Sequence, residues 1–309
     1  MDKVARTYDI FKDIQLEQTE DMAAFKRAKH ELRERLAQLN DLLNHKMFGV
    51  VGTAADYDAW YKSHQPFHWL AEFYDIINDH GGFDVIIGNP PYVENRQSNI
   101  RYRILHYETI ACGNLYAFTL EREYSLINEK GLMGNIVPVS IMSTPGYVNL
   151  RKFIHKKGTS YFSSYNIHPC CLFEGVHPRL AIVINTLDSI NNDVYVSQYY
   201  KWTVSERSIL FRKCCYIKLA LELVDSSINR SFPKISNNIQ ILLKIKREKK
   251  PIGYYQMKQG VSFWYRRAFG AFILFYDKKP LMFDEYGHQI VPTELKELVF
   301  DEKYQDIIL

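Results

Sequence analysis

The chain has 309 residues, 47% hydrophobic and 24% charged, with a net charge of +4 at neutral pH. That is enough for one large domain or two modest ones around a real core. It contains no apolar run of the ~18 residues a membrane helix needs. Residues 1–6 lack the apolar stretch of a secretory signal, so a cytoplasmic protein is expected. The five cysteines fall as two adjacent pairs and a singleton. An odd count without CxxC spacing fits neither a disulfide framework nor a zinc site, and no metal is expected. Charge is uneven: 11 Lys/Arg against 16 Asp/Glu in residues 1–100, 9 against 7 in 101–200, and 19 against 12 in 201–309. A basic, aromatic-rich final third suits nucleic acid as well as it suits a solvated lysine surface.

Residues 21–46 are predicted to be a helix, with Phe25, Leu32, Leu36, Leu39 and Leu43 at helical spacing. Residues 56–78 follow as helix in pieces, anchored by Trp60, Phe67, Trp69, Leu70 and Phe73. A turn at His80-Gly81-Gly82 leads into an apolar strand, residues 83–88. The polar segment 94–103 carries Arg96, Arg101 and Arg103. A helix is predicted over 114–129, ended by Lys130-Gly131, then a buried strand over 132–139 and a helix over 145–155 with Pro145 in its first turn. Strands over 161–167 and 180–187 are joined by too few residues for a helical crossover, so they are predicted to be antiparallel. The alternation otherwise predicts an α/β, mostly parallel, wound sheet. Beyond 190 the period is lost. A helix near 236–248 and the aromatic run Phe263-Trp264-Tyr265-Arg266-Arg267 mark a second, irregular region.

Asn89-Pro90-Pro91-Tyr92 directly follows the 83–88 strand, at the end of a sheet where open α/β folds bind ligands. The exocyclic amine of a nucleobase is a weak nucleophile because its lone pair is delocalised into the ring. Two acceptors aimed at its hydrogens localise that pair. The Asn89 side-chain oxygen and the Pro90 carbonyl can supply them on a platform stiffened by two prolines, and Tyr92 has the shape to stack on the ring. A duplex base must be flipped out to reach such a pocket. The plainer alternative is a proline-stiffened turn.

The run Phe83–Val93, preceded by Phe67–Phe73 and Gly81-Gly82, resembles the catalytic motif of gamma-class adenine-N6 DNA methyltransferases, and the large type IIG restriction-modification enzymes in particular. Gly131–Pro138, Asn149–Ile154, Leu172–His177 and Arg179–Ile184 are similar to the elements that follow it in that family. The resemblance covers about residues 67–187, with a weaker echo over 263–290. It implies a Rossmann-like class I methyltransferase sheet, with Asn89, Pro90, Pro91 and Tyr92 catalytic. Tyr92 and Phe173 would sandwich the adenine, and S-adenosylmethionine would be the methyl donor. Double-stranded DNA would be held by Arg96, Arg101, Arg103, Arg266 and Arg267.

One departure bears on the donor. The family's Gly-rich cofactor loop has no match in residues 1–82; Val50–Ala55, with one glycine, is the nearest stretch. The resemblance therefore implies only the C-terminal half of the sheet, and an upstream polypeptide that completes the cofactor site. The domains expected are a helical insertion over 1–80, a partial catalytic domain over 81–190 and the start of a target-recognition domain over 191–309. Two alternatives stay open: the same tetrapeptide acting on RNA or a protein glutamine, and a catalytically incomplete DNA-binding or assembly subunit.

Overall fold

A computed structural model describes residues 6, 7, 9, 10, 12–14, 22–95 apart from 52–55, 104–219 apart from 176, 177 and 188–190, 231–234, 250, 252–266, 275–291 and 295–304. The chain forms two compact units, Met1–Asn238 and Ile239–Leu309. Among the described residues no helix is long and apolar enough to cross a membrane.

The first unit opens on α1 (Met22–Val51), longer than the predicted helix, with short helices α2 (Tyr57–His64), α3 (Trp69–Glu72) and α4 (Tyr74–Asn78) after it. Asp56 caps α2 by accepting from the Asp58 and Ala59 amides. The helices are tied to α1 by side chains: His45 stacks on Tyr57 at 4.0 Å, and the Asn40 amide donates to Glu72 at 2.7 Å. Phe73 meets Phe83 edge-on at 5.1 Å and fastens this helical segment to the first strand.

The central sheet has six strands: β1 (Phe83–Gly88), β2 (Ile127–Pro138), β3 (Thr159–Tyr165), β4 (Leu180–Thr186), β5 (Val194–Tyr200) and β6 (Tyr216–Lys218), in the order β1-β2-β4-β3-β5-β6. β1 and β2 are parallel, β4 is antiparallel to both its neighbours, β3 and β5 are parallel, and β6 is antiparallel to β5. β1, β2, β3 and β5 thus run one way and β4 and β6 the other. The predicted antiparallel pairing of the last two strands is present, and the sheet is of the expected α/β, Rossmann-like class.

Two differences from the sequence reading have local causes. The helix predicted over 114–129 is α5 (Leu115–Glu123), because the Phe83 amide donates to Leu126 O and Phe83 pairs with Ile127. The register then jumps to Val85 opposite Leu132, so Lys130-Gly131 sits in an irregularity of β2 rather than at a helix end. The boundary expected at 190 falls between two strands of one sheet: β5 pairs with β3, and the first unit continues to Asn238. The helix expected near 236–248 lies outside the described residues.

One face of the sheet is packed by α5, α6 (Ser140–Ser143) and α7 (Val148–His155). Met133, Val137, Phe162 and Val183 are buried there with Leu120, Ile141, Leu150 and Ile154. On the opposite face, towards the carboxyl ends of the parallel strands, Tyr165, Leu172, Leu180, Tyr200, Trp202 and Leu210 form a second cluster that takes in Tyr92, Ile136 and Ile182.

In the second unit, β7 (Val261–Arg266) pairs antiparallel with β8 (Phe275–Tyr276) and β11 (Leu295–Phe300), and β9 (Met282–Phe283) pairs with β10 (Gln289–Ile290). Phe263 is buried against Phe300, which makes 263–266 a core strand of this unit.

Arg151 is the largest charged group in the first core. It is 1% exposed, and burial lowers its pKa to about 10. Its guanidinium donates to the carbonyls of Ile141 at 2.6 Å and Thr144 at 3.0 Å, clamping α6 to α7. Replacement Arg151→Met strands both carbonyls away from water. It is expected to cost roughly 2–4 kcal/mol in urea unfolding, with no change in the exposed helices 57–78.

Candidate active site at the carboxyl end of β1

Since β1, β2 and β3 run the same way, Gly88, Pro138 and Tyr165 reach one rim of the sheet together. Asn89 is exposed on that rim, Pro90 is buried, Pro91 is exposed and Tyr92 is half-buried. The exit from the tetrapeptide is clamped: Leu115 N donates to Val93 O at 2.9 Å, and Asn95 N to Gly113 O at 2.8 Å. Glu121 of α5 holds the returning loop by accepting from the Glu108 and Thr109 amides and the Thr109 hydroxyl.

The Tyr92 hydroxyl lies 2.5 Å from Asn89 Oδ1 and 3.0 Å from Ile136 O. With one hydrogen it donates to one of these oxygens at a time. Either way the ring is fixed between β1 and β2, and burial raises the phenol pKa. An amide oxygen has two lone pairs, so Asn89 Oδ1 keeps one acceptor site when Tyr92 donates to it. The Tyr92 ring meets Tyr116 edge-on, with centroids 6.5 Å apart.

A cleft of about 560 Å³ opens beside Tyr92, lined by Val93, Glu94, Asn114, Pro138, Ser140, Tyr147 and Pro178. Phe173 sits in the same β3–β4 loop as Pro178, 40% exposed. Its neighbour Leu172 is buried, and Arg207 donates to the Leu172 carbonyl at 2.8 Å while lying over Trp202. The structure thus joins Asn89 to Tyr92 by a hydrogen bond and places Phe173 on the same rim. Arg96, Arg101, Arg103 and Arg267 lie outside the described residues. Arg266 is exposed at the end of β7 in the second unit.

Sequence reading missed what lies beneath Gly88. Asn135 of β2, 2% exposed, points at it, and its amide donates to Glu123 of α5 at 2.5 Å. A Cβ on residue 88 would stand 2.6 Å from Asn135 Oδ1 and 3.4 Å from Glu123 Oε1. The available signal was a polar residue at a core position in Gly134-Asn135-Ile136, and a glutamate on the buried side of α5. Burial pushes the Glu123 carboxyl up to about 7, while the Asn135 hydrogen bond draws it down.

Among the described residues no group of three or more His, Cys, Asp or Glu could hold a metal ion. Nor do they fit a sulfonium nucleoside beside Asn89. Gly81 and Gly82 lie at the amino end of β1, the wrong end, and no described strand flanks β1 on the side away from β2.

A sequence model of the family described as Eco57I restriction-modification methylase matches residues 10–166. A protein of Methanocaldococcus jannaschii, described as a type II restriction enzyme and methyltransferase, is 29% identical over 184 residues, covering 59% of this chain and 15% of that protein. Among solved structures, the type ISP restriction-modification enzyme LlaGI in complex with a DNA substrate mimic is 16% identical, covering 59% of this chain and 21% of that one, with a TM-score of 0.39. A type I restriction-modification methyltransferase subunit from Streptococcus thermophilus is 18% identical, covering 49% of this chain and 38% of that one, with a TM-score of 0.33. At such scores these structures carry no residue-level correspondence. The chain spans a minor part of each relative.

Two outcomes are expected of the node under Gly88. Gly88→Ala should destabilise the unit by roughly 1–3 kcal/mol and be largely rescued by Asn135→Ala in a double-mutant cycle. The raised Glu123 pKa means the folded state holds this proton more tightly than the unfolded chain. That contribution is complete below the ordinary glutamate range and is lost as pH rises through about 7. Stability from urea unfolding should therefore fall by roughly 2–3 kcal/mol from this group between acid and pH 8, and Glu123→Gln should remove that fall.

Proposed function

Because the chain belongs to the Eco57I restriction-modification methylase family, we propose that it supplies the acceptor side of a site-specific DNA methyltransferase acting on the N6 amine of adenine. S-adenosylmethionine would be the methyl donor. The observation that carries this reading is the Tyr92–Asn89 contact at the carboxyl end of β1, which holds one amide oxygen at a fixed place beside the Pro90 carbonyl. A flipped adenine would donate one amine hydrogen to Asn89 Oδ1 and the other to Pro90 O. Both acceptors favour a tetrahedral nitrogen and free its lone pair for attack, so positioning and electrostatics supply the rate. Tyr92 and Phe173 would close on the two faces of the ring, with Pro91 keeping the platform rigid. The basic arginines of 96–103 and 266–267 would hold the DNA backbone, positioning the duplex without reading its sequence.

The described residues do not themselves build a donor site, so the chain would need further polypeptide to turn over. This same observation favours a second reading, a DNA-binding or assembly subunit without catalysis. Calorimetry of the chain with S-adenosylmethionine is expected to show no heat. Methylation of adenine duplexes by a completed enzyme, set against RNA and glutamine peptides, separates the readings.

In the completed enzyme Asn89→Ala should abolish methylation while DNA affinity stays within about twofold. Retained methylation would remove Asn89 from the mechanism. Tyr92→Phe keeps the ring and loses the anchor on Asn89. It should lower kcat about tenfold or more, in line with one positioning hydrogen bond, with KM little changed.

A further inference from the structure

Phe173 stands on a loop, and the chemistry of that loop says how the ring is held. Residues 166–179 join β3 to β4 and are tied at both ends: Asn166 N donates to Tyr200 O at 2.9 Å, and Val139 N donates to Arg179 O at 2.8 Å. Between these ties Phe173, Glu174 and Gly175 are exposed. Tyr92 is fixed by its hydroxyl, but a phenylalanine has no polar handle. Ordering one backbone residue costs about as much free energy as one base–aromatic stack returns. An unheld Phe173 would therefore gain almost nothing by closing on a base.

The two peptide planes that flank the Phe173 Cα are each pinned. The Leu172 carbonyl shares a planar unit with the Phe173 nitrogen, and it accepts from the Arg207 guanidinium at 2.8 Å. The Phe173 carbonyl shares the next plane with the Glu174 nitrogen, and it accepts from the Cys171 thiol at 3.0 Å. With both planes set, φ and ψ of Phe173 are set, and so is the direction in which its side chain leaves the loop. Leu172 is buried with Tyr165, Tyr200, Trp202 and Leu210, and Cys170 packs on the same cluster. Among the described residues, no hydrogen bond other than that of Arg207 reaches residues 168–178 from outside the loop.

Arg207 is placed to hold that bond. It lies in a 3-10 turn, Val204–Ile209, that closes on itself: Thr203 N donates to Glu206 at 3.0 Å in a capping box, and Lys213 pairs with Glu206 at 3.2 Å. The segment is fastened to β5, where the Tyr200 hydroxyl donates to Lys213 O at 3.1 Å and accepts from Cys215 N at 3.0 Å. Leu210 is buried, and Phe211 meets Tyr165 edge-on. The Arg207 guanidinium lies over the Trp202 ring at 5.6 Å, and a planar fork stacked on an indole keeps its direction. The plainer role of an exposed arginine beside a DNA site is a phosphate contact, which acts on DNA affinity and not on the loop.

We infer that Arg207 and Cys171 are the positioning residues of Phe173, and that they set the direction of its ring by pinning the peptide planes on either side of its Cα. This rests on the reading of Phe173 as a stacking residue for the flipped base.

Two measurements test it. The first uses the chain alone and reads the rate at which iodoacetamide modifies each cysteine, by mass spectrometry of its peptides. Arg207 is exposed, so Arg207→Met should leave the fold intact. Alkylation of Cys171 should rise about fivefold, as for the loss of one hydrogen bond, while Cys112, in the turn before α5, keeps its rate. The second uses the completed enzyme. Arg207→Met and Cys171→Ala should each lower kcat about fivefold, with KM and the salt dependence of DNA binding unchanged. Cys171→Ser keeps a donor and should recover most of that loss. In a Phe173→Ala background neither Arg207→Met nor Cys171→Ala should lower kcat further. An unchanged Cys171 rate, additive losses in that background, or a reduced salt slope of DNA binding in Arg207→Met would each overturn the inference. Methylation untouched by Phe173→Ala would remove Phe173 from the mechanism, and the Cys171 rate would still decide whether Arg207 holds its loop.

Discussion

The contact of Gly88 with Asn135 and Glu123 fixes where β1 ends. A side chain at 88 forces Asn135 to shift, because a Cβ there stands 2.6 Å from the Asn135 oxygen, inside van der Waals distance. The close approach locks the last residue of β1 against β2 and α5, and the chain leaves the sheet as Asn89-Pro90 from a fixed point. Tyr92 then reaches back to Ile136 and Asn89. The exposed amide is thus held from both sides: from below by a glycine packed directly on Asn135, from above by a hydroxyl with two places to donate. The cost is a buried carboxyl whose proton is retained near neutrality.

The site is asymmetric for the same reason. Everything that positions the acceptor comes from the β2 side of β1. The aromatic loop is carried by β3 and β4, whose anchor Leu172 is tied by Arg207, so the rim is organised from one flank. Among the described residues the other flank of β1 has no paired strand, and the aliphatic side chains beside it belong to no core. A sheet built this way has its most specific chemistry at its least finished edge.

Much of this was legible in the sequence because the signals were local. The 83–88 run gives its strand to the residue, and the short 168–179 interval gives the antiparallel β3–β4 pair. The amphipathic stretch after residue 21 gives α1. What failed depends on partners distant in the chain. α5 stops at Glu123 because Phe83, forty residues earlier, captures Ile127. No boundary stands at 190 because β5 finds β3 across the β4 excursion. The tetrapeptide was readable as chemistry, but its support was not. Asn135 and Glu123 become a pair only when β1, β2 and α5 are assembled, and the Tyr92 anchor is visible only once Ile136 is in place.

The place of β4 between β2 and β3 also governs how the chain is made. β2 and β3 are never neighbours; each waits for a strand that begins at Leu180. On a ribosome adding ~5–20 residues per second, β2 emerges complete roughly 2–10 s before the end of β4. During that interval its β1 partner is present and its β4 edge is open. The nascent chain therefore carries two apolar parallel strands exposed on both outer edges, at the stage when aggregation competes most directly with folding.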